Sequence, residues 1–64
     1  MKYKQMVDNL VTHYGSMRQT AYKVGLGYMT LHDIQTGKTS EENITNRVSS
    51  TIKAAHAKIQ RRVG

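Results

Sequence analysis

The chain has 64 residues and a formal net charge of +6, and it contains no Cys, Trp, Phe or Pro. That length predicts one small domain, hiding only about 60% of its unfolded surface, with a core drawn from Met, Val, Leu, Ile, Ala and Tyr. Without Cys there is no disulfide framework, thiol nucleophile or thiolate metal site, and the basic balance points to polyanions, either nucleic acid or an anionic membrane surface.

Met6, Val7, Leu10, Val11 and Tyr14 fall on one helical face, predicting an amphipathic helix over residues 3–14 that stops at Gly15. Ser16-Met17-Arg18-Gln19 then matches the S-x-x-Q form of a capping box. Residues 17–36 read as two short helices joined by a tight turn over residues 24–27. Ala21 is small enough to let the second helix cross close above the first. Gly25 supplies the left-handed backbone that a sharp corner needs. Leu31 and Ile34 lie three apart and point back at Ala21 and Val24, which leaves Tyr28, Met29, His32 and Asp33 facing outward with Thr30 beside them.

The second of these helices should end at Gly37, followed by a connector of Lys38 and Thr39. Thr39-Ser40-Glu41-Glu42 is a second capping-box pattern, and its acids suit a helix start. Ile44, Val48, Ile52, Ala55, Ile59 and Val63 then form one apolar stripe, predicting helix over residues 41–63. Ser49-Ser50-Thr51 is its weak point in propensity. The chain is expected to be all-α and a single domain over residues 1–64, with four helices, or five if the last segment breaks there.

Gln19-Thr20-Ala21-Tyr22-Lys23-Val24-Gly25-Leu26, Met29-Thr30-Leu31, Ile34 and Gly37-Lys38-Thr39 together resemble the helix-turn-helix of the phage Cro and repressor family. Met17 stands where many members carry Gln, and Gln35 where many carry an acid. The resemblance implies a transcriptional regulator, of the Cro-like repressor kind, that occupies a double-stranded DNA operator as a homodimer. It maps base reading onto Tyr28, Met29, Thr30, His32 and Asp33.

Each of those side chains has matching chemistry. A carboxylate at Asp33 can accept from cytosine, His32 can donate to guanine, Met29 can pack on a thymine methyl, and Tyr28 can do the same or bond a phosphate. Phosphate contacts are expected at Arg18, Gly27, Lys38, Thr39 and Ser40, where helix starts offer free amides or cations follow the second helix.

Ile44, Val48 and Ile52 should close the core over the first helix. Ile52, Ala55, Ile59 and Val63 are the expected dimer or partner interface, and Lys53, Lys58, Arg61 and Arg62 have no acid among them. This segment lacks the large aromatic anchors of a membrane-surface helix. A protein-interaction module working through the last helix, and an excisionase-like architectural DNA binder, are the alternatives.

No metal pair, glycine-rich phosphate loop or nucleophile motif occurs, so neither an enzyme nor a cofactor, metal or small-molecule ligand is expected. His13 and His56 read as structural positions. No apolar run approaches the roughly 20 residues of a membrane span, and the first residues lack a signal-peptide core, so a cytoplasmic location is expected.

Overall fold

The structure, a computed structural model, describes residues 2–60. It is all-α, with α1 (Tyr3–Tyr14), α2 (Met17–Val24), α3 (Tyr28–Thr36) and α4 (Asn46–Gln60), and a single 3-10 turn over Glu41–Asn43. Helix α1 is the hub, packing against α2, α3 and α4. Its Val7 and Leu10 meet Leu31 and Ile34 of α3 and Ile52 of α4 in the buried core. Each such aliphatic side chain contributes about 1.5–3 kcal/mol relative to exposure.

Three polar links join the helices around that core. Thr20 of α2 is fully buried, and its hydroxyl donates to the Ser16 carbonyl at 2.7 Å and lies 3.4 Å from that of Leu10. Gln35 of α3 donates to the Asp8 carboxylate at 3.0 Å. Asn9 Nδ2 lies 3.2 Å from Nε2 of His56, which is buried on α4.

The N-terminus of α1 has no side-chain cap from Lys2. Glu41 supplies one from far along the chain: its carboxylate accepts from the Tyr3 amide at 2.8 Å and the Lys4 amide at 3.1 Å. This corrects the second capping-box reading. The T-x-x-E pattern opens only the three-residue turn, in which the Asn43 amide donates to the Ser40 carbonyl at 2.9 Å. The acid placed for a helix dipole serves α1 instead.

The last helical segment breaks at Ile44 and Thr45, and not at Ser49-Ser50-Thr51. Ile44 is extended and packs against the core, so the chain turns there before α4 begins. Thr45 Oγ1 then accepts from the Val48 amide at 3.4 Å as the cap. Ser49 and Thr51 lie within α4, their hydroxyls donating to the carbonyls of Asn46 and Arg47.

The interface expected along α4 needs correction at Ile52. Ile52 is fully buried within the domain, and Ala55 and Ile59 are half-buried against the same core. Val63 lies outside the described residues.

Candidate nucleic-acid interface

Helices α2 and α3 occupy the two halves of the expected motif. Ser16 Oγ accepts from the Gln19 amide at 3.1 Å and fixes the start of α2. Gly25 ends α2 with φ +85°, the left-handed conformation that disfavours a side chain. Its amide bonds the Ala21 carbonyl at 2.9 Å, and the Leu26 amide reaches that carbonyl at 3.2 Å. This closes the corner and directs Leu26 toward the core, against which Ala21 and Val24 also pack.

The second helix is then held by Leu31 and Ile34, both buried. Its first turn is presented outward: Tyr28 is 48% and Met29 58% exposed, with Thr30 exposed beside them. His32 lies one turn on, half-buried, with its ring stacked parallel to that of Tyr28 at 6.0 Å between centroids.

Asp33 departs from the expected outward face. At about 100° per residue it flanks Ile34, and one of its carboxylate oxygens, Oδ1, is buried with no hydrogen-bond partner. Its side chain borders a cleft of about 180 Å³ shared with Thr30, Thr39, Asn43 and Thr45. One carboxylate oxygen of Asp33 is thus turned into this cleft, while the residue as a whole stays half-buried.

Among the expected phosphate contacts, Arg18 is exposed in the first turn of α2, Gly27 is exposed at the cap of α3, and Lys38 is exposed just after it. Thr39 and Ser40 are half-buried. The Thr39 amide is already bonded to the Asp33 carbonyl at 3.0 Å, and the helix supposed to begin there is only the short turn. Those two positions offer no helix N-terminus to an anion.

Sequence reasoning passed over Tyr22, whose side chain is 81% exposed on α2. Its spacing of four from Arg18 was the available signal, because it puts both on one face. Lys23 falls elsewhere, on a groove with α4.

Comparisons with protein-family models, with curated proteins and with solved structures give no match. Among the described residues no helix is long and apolar enough to cross a membrane, and no group of three or more metal-ligating side chains occurs.

Proposed function

We propose that the chain is a sequence-reading, double-stranded DNA-binding regulator that lays α3 in the major groove and acts by occupying an operator. The observation that carries this reading is the division of α3, with Leu31 and Ile34 buried while Tyr28 and Met29 stand outward on the first turn. The N-terminal residues of a recognition helix are the ones that meet base edges.

In that pose Met29 packs on a thymine methyl, His32 donates to guanine, and Tyr28 and Thr30 complete the readout. Arg18, the Gly27 amide and Lys38 meet phosphates and set the register. Tyr22, one turn beyond Arg18, adds its phenol to that set. None of the reading residues is an Arg, Asn or Gln, so DNA shape carries a large share of the preference. The active form is a homodimer on a two-fold symmetric site, with half-sites about one helical turn apart. A cytoplasmic, non-enzymatic regulator belongs to the same reading.

The test is binding to a mixed-sequence duplex as a function of salt. The protein should bind at about 50 mM salt and weaken steeply toward 200 mM. Each phosphate neutralised by a cation adds about 0.9 to the slope of log affinity against log salt, so Arg18→Gln with Lys38→Gln should lower that slope by about 2 per protomer. Absence of binding at low salt, or an unchanged slope in that variant, would refute the reading.

A further inference from the structure

Helices α2 and α4 border a groove of about 350 Å³ in which no α3 residue takes part. Tyr14, Val24 and Ala55, all half-buried, line it together with the exposed Ala54, and Lys23 and Lys58 border it as exposed cations. Neither α2 nor α4 contains an acid. The chain's four acids sit elsewhere: Asp8 is bonded to Gln35, Glu41 caps α1, Asp33 borders the other cleft, and Glu42 is on the 3-10 turn.

We propose that this groove docks an acidic amphipathic helix of a partner protein. The apolar residues accept the partner's aliphatic side chains, and Lys23 and Lys58 meet its carboxylates. Ser50 and Ala54, one turn apart on the exposed side of α4, are small enough for a helix backbone to approach closely.

Charge decides against the other occupants. A second copy docked groove to groove would set Lys23 and Lys58 against the same lysines, with no acid from α2 or α4 to pair them. A DNA backbone would use the lysines with Ser50 and Thr51 but leave Val24, Ala54 and Ala55 uncovered. The groove is therefore a heterologous site, separate from the α3 surface and independent of what α3 binds.

The probe is a synthetic helical peptide of about four turns, with Leu at i, i+3, i+4 and i+7 positions and Glu at most others, beside a counterpart carrying Lys for Glu. Each is titrated into the ¹⁵N-labelled full chain. The Glu peptide should shift the amide resonances of Val24, Ala54 and Ala55, leave those of Met29 and Thr30 in place, and bind at least about tenfold more tightly than the Lys peptide.

Lys23→Glu with Lys58→Glu should reverse that preference. Ala54→Gln, which crowds the groove without changing charge, should weaken the Glu peptide while circular dichroism stays unchanged. The proposal is overturned by no shift at millimolar Glu peptide, by equal affinity for the two peptides, or by shifts centred on α3. It is also overturned if a mixed-sequence duplex moves the groove resonances more strongly than the Glu peptide does.

Discussion

Replacing Glu41 by Ala should destabilise α1 even though the two are far apart in sequence. The carboxylate accepts from the first two amides of α1, at 2.8 and 3.1 Å, and places a negative charge at the positive end of the helix dipole. Loss of a cap costs about 0.5–2 kcal/mol, and a charge at a helix N-terminus contributes about 0.3–1 kcal/mol. Solvent reaches part of the Glu41 side chain, so the sum is discounted to about 1.5 kcal/mol. At about 4–8 °C per kcal/mol for a domain of this size, the melting temperature should fall by about 6–12 °C. Glu41→Gln keeps one acceptor and loses the charge, so it should lose about half as much. Glu42→Ala, at the exposed neighbour, should stay within about 0.5 kcal/mol of the parent. Thermal and urea unfolding followed by far-UV circular dichroism measure all three. If Glu41→Ala melts within about 1 °C of the parent, or Glu42→Ala matches its loss, the capping account is refuted.

Ile52→Ala should cost about 2–5 kcal/mol as a cavity in the core, a large share of the stability of a domain holding about 0.05–0.15 kcal/mol per residue. Urea titration should show the midpoint fall by a large fraction of the parent's, whereas a solvent-facing interface residue would leave the midpoint unchanged. Gly25→Ala meets no neighbouring atom within 4 Å, so its cost is the left-handed backbone alone, about 1–2 kcal/mol. A neutral result in the same titration would mean that the corner has another conformation. Asp33→Asn removes a charge whose Oδ1 is buried without a partner. Its unfolding midpoint should equal or exceed the parent's, and any base preference should survive; loss of preference in a DNA selection would return Asp33 to the reading face.

Local patterns in the sequence located most of the fold. The spacing of Val7 and Leu10, the Ser16 cap and the glycines at 15, 25 and 37 mark helix ends and faces through interactions within one or two turns, and these lie where expected. What the pattern did not contain was tertiary. Glu41 looked like the start of its own helix because nothing local shows that it reaches Tyr3. Thr20 is fully buried because α2 packs on α1, which brings its hydroxyl to 3.4 Å from the Leu10 carbonyl, a contact no local pattern contains.

The α4 stripe was legible as apolar, but whether α1 or a second molecule covers it depends on how α4 lies across α1. The candidate site divides in the same way. Tyr28, Met29 and Thr30 follow from helical phase alone. Asp33, at the edge of that phase, borders a cleft that residues of the Glu41–Asn43 turn and the start of α4 build beside it, which helical phase does not contain.

The most direct test of DNA reading by α3 is selection from a randomised duplex library at near-physiological salt, run in parallel with the parent and a Tyr28→Ala, Met29→Ala, His32→Ala variant. A reading α3 predicts that the parent enriches a palindrome with half-sites about one helical turn apart, and that the variant binds duplex without enriching any sequence. Enrichment of the same motif by the variant, or none by the parent, would contradict it.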